Sequence, residues 1–295
     1  MQRKEFLKIA GLTTLSIPMM SALNKLENIT DSFDSSKRMP VLFLGHGSPM
    51  NGIEDNEFVR AFKKQGQQLE MPNAIIVVSA HWETNGTFVT AMQNPRTIHD
   101  FGGFPKELYE VQYPAPGHPK LAKEISEFIN PAGTVHLDDK WGLDHGAWTV
   151  VKHLFPKADV PVIQLSLDYK MTPQQHYELA QQLKSLREKG VLIVGSGNMV
   201  HNLRKVDFSK INENFGYDWA IEADSKMKKW ILEGNHQNLI DFKKQGEAFN
   251  LAIPTPEHYL PLLYTLGLKD EKDNTTIFND NPLGGSLTMT SVKFG

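Results

Sequence analysis

The sequence predicts a single α/β domain in which helices flank a mostly parallel or mixed central sheet. Apolar runs of strand length alternate along the chain with longer helical patterns, which is the element order expected of this fold class. Several of the apolar runs end abruptly at Gly, Ser or Pro, which terminate strands. In open α/β sheets, ligands collect at the carboxyl ends of the strands. We therefore expect the active site at that edge.

Three histidines follow predicted buried strands at this edge. His46 follows residues 41–44, His81 follows residues 74–78, and His201 follows residues 191–194. His46 lies between two glycines in the sequence GHGSP. Because three separate strands each lead to a histidine, we expect these side chains to meet at one site.

The remaining elements support the α/β order. Further strands are predicted at 87–92, 134–137, 161–167 and 285–294. Helices are predicted at 54–69, 119–129, 147–155, 172–189, 219–232 and 239–244. Thr172 is a typical helix N-cap, with Pro173 at the first helical position. Residues 95–119 are rich in Gly, Pro and aromatic residues, and a long segment of this kind in a compact domain is usually a pocket wall.

Residues 1–38 differ in character from residues 39–295, which form the predicted catalytic domain. The leader begins with basic residues and continues with an apolar run at 9–23, the layout of an export signal. Its RKxFLK order resembles a twin-arginine signal with lysine in place of the second arginine, so we expect export to the periplasm; a cytoplasmic protein with an uncleaved leader is the alternative. The run is short and interrupted by Pro18, so no stable membrane span is expected. Residues 28–38 have the composition of a linker.

Composition excludes several kinds of site. The 295 residues carry a formal net charge of −3, which gives no electrostatic basis for binding nucleic acid. Cysteine is absent, so disulfides, thiolate metal sites and cysteine nucleophiles are excluded. The chain has 11 histidines. A transition metal would therefore have to be bound by imidazole and carboxylate groups.

His46, His81 and His258 are the leading candidates for metal ligands. His258 is predicted in the first turn of a helix with Thr255 as N-cap and Pro256 at the first position. The positive end of a helix dipole disfavours imidazolium, and metal binding requires neutral imidazole. A lone histidine is more often structural, but a set placed at strand ends and a helix start favours a metal site.

Competing catalytic motifs are incomplete. The GSG at 195–197 lacks the third glycine of a dinucleotide fingerprint, and the chain has neither HExxH nor GxSxG. The HWE at 81–83 matches the first part of a zinc deaminase signature, but the required cysteines are missing. Pro49 follows Ser48, where a nucleophile elbow would start a helix. A serine hydrolase is therefore disfavoured.

Seven motifs, in this order, resemble the 4,5-DOPA extradiol dioxygenases of the class III extradiol ring-cleaving superfamily. They are GHGSP at 45–49, SAHW at 79–82, HDFGGFP at 99–105, YPAPG at 113–117, DHG at 144–146, GNMVHN at 197–202 and PEHYLP at 256–261. The resemblance extends from residue 39 to the C-terminus. It implies a metal-dependent enzyme that inserts O2 into the ring of a catechol such as 4,5-DOPA.

The resemblance also implies roles for individual residues. His46, His81 and His258 would bind the metal, and His201 would be an acid/base residue or a fourth ligand. His145 would line the site and hydrogen-bond substrate or oxygen. Fe(II) is expected for turnover, and Zn(II) could occupy the isolated protein, since three imidazoles suit both ions. The partners are a catechol and O2, and the oligomeric state is left open.

Two other functions use the same residues. A zinc hydrolase could generate a metal hydroxide at the three histidines. A non-catalytic peptide-binding module could use the same scaffold, although the presence of all four metal-proximal histidines disfavours it.

Among the remaining candidates, His99 is expected at the pocket or in a structural loop. Asp144 would orient His145 or cap a helix, and Tyr259 and Tyr264 are expected in the core. Surface or cap positions are expected for His118, His136, His153, His176 and His236.

Overall fold

The computed structural model describes residues 38–129, 135–211 and 213–295. Within these residues, eight strands form one mixed sheet and two short strands form a separate ladder. The strands are β1 (Val41–Gly45), β2 (Ala74–Thr84), β3 (Thr87–Thr90), β4 (Val135–Asp138), β5 (Val162–Asp168), β6 (Val191–Gly197), β7 (Thr275–Phe278), β8 (Pro282–Leu283), β9 (Leu287–Thr288) and β10 (Ser291–Phe294). The sheet order is β4-β3-β5-β2-β6-β1-β10-β7.

The centre of the sheet is parallel and its margins contain antiparallel pairs. β5, β2, β6 and β1 pair in parallel, whereas β10 runs antiparallel to both β1 and β7. The carboxyl ends of the four central strands therefore lie at one edge. The predicted α/β class with a mostly parallel or mixed sheet is confirmed.

Helices cover both faces of the sheet. They are α1 (Glu57–Gln68), α2 (Lys106–Tyr109), α3 (Pro119–Phe128), α4 (His145–Leu154), α5 (Pro173–Gln182), α6 (Asp218–Glu233), α7 (His236–Ile240), α8 (Glu247–Ala252) and α9 (Leu260–Leu268). Strand residues alternate between the faces: Val41 and Phe43 pack in the cluster with α9, whereas Leu42 and Leu44 pack in the cluster with α4. Burial on both sides explains why β1 is a continuous apolar run.

Most predicted elements are present, but several boundaries differ. The helix predicted at 239–244 is instead α7 (His236–Ile240) followed by a 3-10 turn (Phe242–Lys244), and the helix predicted at 54–69 begins at Glu57. The helix predicted at 172–189 ends at Gln182 and continues as a 3-10 turn, although Thr172 caps it as predicted, in a capping box with Gln175. The closing strand predicted at 285–294 is split into β9 and β10. β2 runs on to Thr84, so His81 lies inside the strand, with a register shift between Val78 and Glu83. The helix predicted around Thr255 starts only at Leu260.

The structure bears on the membrane prediction but not on the leader. The signal-like sequence falls on residues outside the described ranges, apart from Arg38, so export remains a prediction. Across the residues that the structure describes, no helix is both long enough and apolar enough to cross a bilayer.

The opposite, amino-terminal edge of the sheet is joined by a buried ion pair. Arg187, which is fully buried, donates to Asp273 Oδ2 at 2.6 Å and to Asp273 Oδ1 at 3.0 Å. It also donates to the backbone carbonyls of Met39 at 2.9 Å and Leu268 at 2.7 Å. One guanidinium thus ties the start of β1 to the end of α9.

Candidate active site

Among the described residues, five histidines meet at the carboxyl edge of the parallel strands. His46 follows β1, His81 lies near the end of β2, His145 begins α4, His201 follows β6, and His258 lies in the turn before α9. The ring centroids of His46 and His81 are 5.0 Å apart, and His258 lies 5.3 Å and 5.0 Å from them. All five site histidines predicted from the sequence are therefore brought together.

The cluster contains two close imidazole pairs, of which only His201 with His258 is stacked and His81 with His145 is tilted by 48°. His81 and His145 have ring centroids 3.8 Å apart, and His201 and His258 have centroids 3.5 Å apart at an interplanar angle of 8°. Ligand atoms fall into two close groups: His46 with His81 and His145, and His201 with Glu257 and His258. Each close pair joins a predicted metal ligand to another predicted site residue: His145, expected to hydrogen-bond substrate or oxygen, or His201, expected as an acid/base residue or fourth ligand.

Hydrogen bonds determine which nitrogen of His46 is free. Ser196 Oγ donates to the carbonyl of Gly146 at 2.5 Å, so it must accept from His46 Nδ1 at 3.0 Å. Neutral imidazole holds one proton, so Nε2 of His46 carries a lone pair. This Nε2 lies 3.2 Å from Nε2 of His81.

The 3.2 Å distance between the Nε2 atoms of His46 and His81 fits a cation bound by both. Two nitrogens bound at about 2.1 Å to one ion, at near-tetrahedral angles, would be about 3.2–3.4 Å apart. Lone pairs that face each other at this distance are repulsive unless a proton or a metal ion lies between them. The histidines present therefore suit Fe(II) or Zn(II), both of which accept imidazole ligands.

His258 is positioned differently from the sequence prediction. The prediction that Thr255 caps a helix containing His258 is wrong, because residues 254–259 form turns and α9 begins at Leu260. Pro254 and Pro256 disfavour helical backbone in the residues that precede them, so this segment stays outside the helix. The imidazole is instead held by Glu257, whose Oε1 accepts from His258 Nδ1 at 3.1 Å.

Close backbone approach explains the glycine at the end of β6. The amide of Asn198 donates to the carbonyl of His258 at 2.8 Å. A Cβ on Gly197 would lie 2.1 Å from that carbonyl oxygen. Only glycine lets the turn that carries His258 lie directly against the strand.

Asp100 is the carboxylate that contacts His145. Its Oδ1 accepts from the backbone amide of His145 at 2.8 Å, and its Oδ2 accepts from Nδ1 of the same residue at 2.9 Å. Burial tends to raise the pKa of Asp100, but the hydrogen bonds and charge of His145 together outweigh burial, and the pKa is lowered. Asp100 is therefore an ionised acceptor at neutral pH.

Asp144 caps α4 rather than orienting His145. Its Oδ1 accepts from the amide of Ala147 at 3.1 Å and from Ser79 Oγ at 2.6 Å, and its Oδ2 accepts from Gln164 at 2.7 Å. Burial is the main reason that its pKa is raised, and the charge of Asp100 adds to this effect. Of the two predicted roles, helix capping is the one that its contacts support.

Burial controls the electrostatics of the cluster. The pKa values of His46 and His81 are lowered, first by burial and then by neighbouring imidazoles. Burial, followed by the charge of His258, lowers the pKa of His201 to about 3. Burial would raise the pKa of Glu257, but the hydrogen bond from His258 helps to lower it to about 2. The site thus favours neutral imidazoles, which metal binding requires.

Aromatic residues from the segment predicted as a pocket wall lie beside His145. Phe101 has its ring centroid 5.5 Å from that of His145 and 5.4 Å from that of Phe104. Tyr109, on α2, lies 5.1 Å from Phe101. These rings give the histidine cluster an apolar neighbour suited to an aromatic ligand.

Predictions for the other residues have mixed outcomes. His118 caps α3 and His136 is exposed, as expected, and Tyr259 and Tyr264 are core residues.

The surface placement of His153 and His176 is wrong, because both are buried: His153 bonds the carbonyl of Asn51, and His176 bonds Tyr264. His236 is half-buried against Tyr177. His99 bonds the carbonyl of Val111 and is a structural loop residue.

Sequence reasoning missed the orienting residues Asp100 and Ser196. Asp100 was visible only as the second residue of HDFGG, and nothing in its spacing indicates that it reaches a histidine 45 positions away in the chain. Ser196 lies inside an ordinary glycine-flanked strand end. Both depend on contacts between distant segments.

Comparisons with known proteins agree with this geometry. Residues 40–289 match the family described as the catalytic LigB subunit of aromatic ring-opening dioxygenase. The fold and the histidine site thus belong to the ring-opening dioxygenase class. This chain is a member of that family and is an extradiol ring-cleaving dioxygenase.

Individual relatives cover most of the chain. The 4,5-DOPA dioxygenase extradiol of Escherichia coli K12 is 46% identical over 270 residues, covering 90% of this chain and 98% of that protein. The protein of the same description from Beta vulgaris is 35% identical over 257 residues, covering 85% and 95%. The crystal structure of an uncharacterized Escherichia coli K12 protein is similar with a TM-score of 0.74 at 41% identity, covering 88% of this chain and all of that one. The resemblance stated from the motifs is confirmed, and it favours the dioxygenase over the hydrolase and the binding module.

Proposed function

We propose that this chain cleaves catechols that resemble 4,5-DOPA, using Fe(II) bound by His46, His81 and His258. The observation that carries the proposal is the 3.2 Å approach of two Nε2 atoms from different strands, with the ring of His258 beside both. The relatives named as 4,5-DOPA dioxygenases support the substrate class.

His258 is preferred to His145 as the third ligand. Each has a carboxylate on Nδ1, so each can present Nε2 to the site. The ring centroid of His145 is only 3.8 Å from that of His81, at an interplanar angle of 48°, whereas the centroids of His46, His81 and His258 are 5.0–5.3 Å apart, and the shorter spacing suits a neighbour of a ligand better than a second ligand. The sequence motif PEHYLP also supports His258.

The other residues bind substrate and move protons. A bound Fe(II) ion would supply the redox chemistry that couples a catechol to O2, whereas zinc has none. Neutral His201 can accept a proton from a catechol hydroxyl and return it later. His145 Nε2 can hydrogen-bond the substrate, and Phe101 contacts its ring edge while excluding water.

Reconstitution tests the proposal. The purified chain is loaded anaerobically with Fe(II) and assayed with an oxygen electrode against L-DOPA and a panel of other catechols. We expect consumption of one O2 per catechol and a yellow product from L-DOPA, with no uptake by the zinc-loaded protein. His258→Ala should lose turnover, and His136→Gln, at an exposed histidine outside the site, should retain it. Absence of O2 uptake with every catechol would contradict the proposal.

A further inference from the structure

We propose that Asp100 is the positioning residue that fixes the proton of His145 on its Nδ1 atom, so that the ring presents an unprotonated Nε2 to the site. Its importance for turnover rests on the function proposed above. The proton arrangement itself can be measured without turnover, so the two proposals can fail separately.

Both carboxylate oxygens of Asp100 accept hydrogen bonds from His145. Asp100 Oδ2 lies 2.9 Å from His145 Nδ1, and Oδ1 accepts from the His145 amide at 2.8 Å. A carboxylate has acceptors only, so the Nδ1 of His145 that bonds it must carry the proton. The Asp100 side chain is 18% exposed and that of His145 is 7% exposed, so water competes weakly for these contacts.

Hydrogen bonds of the two residues before Asp100 hold it in place. The amide of Ile98 donates to the carbonyl of Leu143 at 2.7 Å, and Trp148 Nε1 donates to the carbonyl of Ile98 at 2.9 Å. His99 Nε2 donates to the carbonyl of Val111 at 3.0 Å. The irregular segment that carries Asp100 is thus hydrogen-bonded to residues at the start of α4 and to Val111, which lies later in the same segment.

Neither of the other two carboxylates described beside the site can orient His145 in this way. Asp144 precedes His145 in the chain, but its oxygens are taken by Ser79, Gln164 and the amide of Ala147. Glu257 makes the equivalent contact with His258. A carboxylate on the far nitrogen is the usual means of fixing the tautomer of a metal-binding histidine. The proposal extends this arrangement to His145.

An amide at position 100 should reverse the tautomer of His145. In Asp100→Asn, the amide of His145 still requires an acceptor, which retains the side-chain oxygen at the Oδ1 position. The NH2 group then occupies the Oδ2 position and faces His145 Nδ1 with a donor. The ring must accept there and carry its proton on Nε2.

The test is NMR of the full-length chain labelled with 15N-histidine. Nitrogen shifts and two-bond couplings to the ring protons distinguish the two tautomers. Spectra are recorded on the Zn(II)-loaded protein, which is diamagnetic, and again after chelation. His145→Gln assigns the His145 signals by their disappearance. Asp138→Asn is the control, since Asp138 accepts backbone N–H groups of Lys140 and Trp141 and contacts no histidine.

We expect wild type and Asp138→Asn to hold the His145 proton on Nδ1 and Asp100→Asn to hold it on Nε2. In the Fe(II) enzyme, kcat of Asp100→Asn should fall by about 10- to 100-fold, the range for losing a group that orients a ligand. A wild-type spectrum with the His145 proton on Nε2 would overturn the proposal even if the variant did not fold. An unchanged tautomer in a folded Asp100→Asn protein would also overturn it.

Discussion

Ser196 Oγ accepts a hydrogen bond from His46 Nδ1 at 3.0 Å while donating its own hydrogen to the carbonyl of Gly146. The hydroxyl lies on β6, the histidine follows β1, and the carbonyl belongs to the first turn of α4. One buried group therefore sets both the tautomer and the orientation of a proposed metal ligand.

Ser196→Ala should weaken metal binding. Without the acceptor, His46 loses the contact that keeps its proton on Nδ1, and affinity should fall by about 10- to 100-fold. Competition with a chromophoric chelator measures the change. Ser166→Ala is the matched control, because Ser166 is also a buried strand serine but bonds Thr84 and Phe88 rather than a histidine. Equal affinities in the two variants would contradict the assigned role.

Gly197→Ala should destabilise the fold at the site. The new methyl would overlap the carbonyl of His258, and relief requires the turn to move, at about 1–3 kcal/mol in the free energy of unfolding. Urea denaturation measures this loss. At Gly102 a Cβ meets nothing within 4 Å, so Gly102→Ala should change stability by less than about 0.5 kcal/mol. Comparable losses would argue against the close approach.

Local patterns were sufficient to predict the layers and the strand edge. The continuous apolar runs of β1 and β6 indicate strands buried on both faces, and parallel pairing brings their ends together. That placement is enough to predict that His46, His81 and His201 are neighbours. The N-cap at Thr172 is equally a local feature of the sequence.

Contacts between distant segments could not be predicted in the same way. Asp100 reaches His145 only because its loop is bonded to the residues before α4. His176 has the sequence context of an exposed first helical turn, yet α9 covers it completely. Tertiary packing decides both cases, and neither hydrophobic periodicity nor spacing encodes it.

His176 should make the folded state sensitive to acid. Burial lowers its pKa from 6.5 to about 4, against a smaller opposing effect of Asp168. Because the folded-state pKa lies below the unfolded value, the unfolded chain binds the proton more readily. Stability is complete above about pH 6.5 and is lost as the pH falls toward 4, by up to about 3 kcal/mol for this group.

Unfolding in urea at pH 7 and at pH 4.5 checks this effect. His176→Asn keeps a polar group near Tyr264 but cannot titrate, so it should lose less stability between the two pH values than wild type. Other titrating groups are shared by the two proteins and cancel in the comparison. The same pH dependence in both would show that His176 does not contribute.

Arg187→Met should cost about 3 kcal/mol in the free energy of unfolding, because it leaves the buried carboxylate of Asp273 with only the partly exposed Arg38 as a charged partner. Equilibrium denaturation measures the loss. Arg60→Ala removes an exposed pair with Asp55 and should change stability by less than about 1 kcal/mol. Adding Asp273→Leu to Arg187→Met should restore part of the stability. No recovery in the double variant would contradict a charge-burial explanation.

The most direct test of the metal assignment is an anomalous difference map at the iron edge from crystals grown anaerobically with Fe(II). We predict one iron peak at the edge of the sheet, about 2.0–2.3 Å from Nε2 of His46, His81 and His258, with His145 and His201 beside it. A peak bound by His145 in place of His258, or no peak among these histidines, would contradict the account.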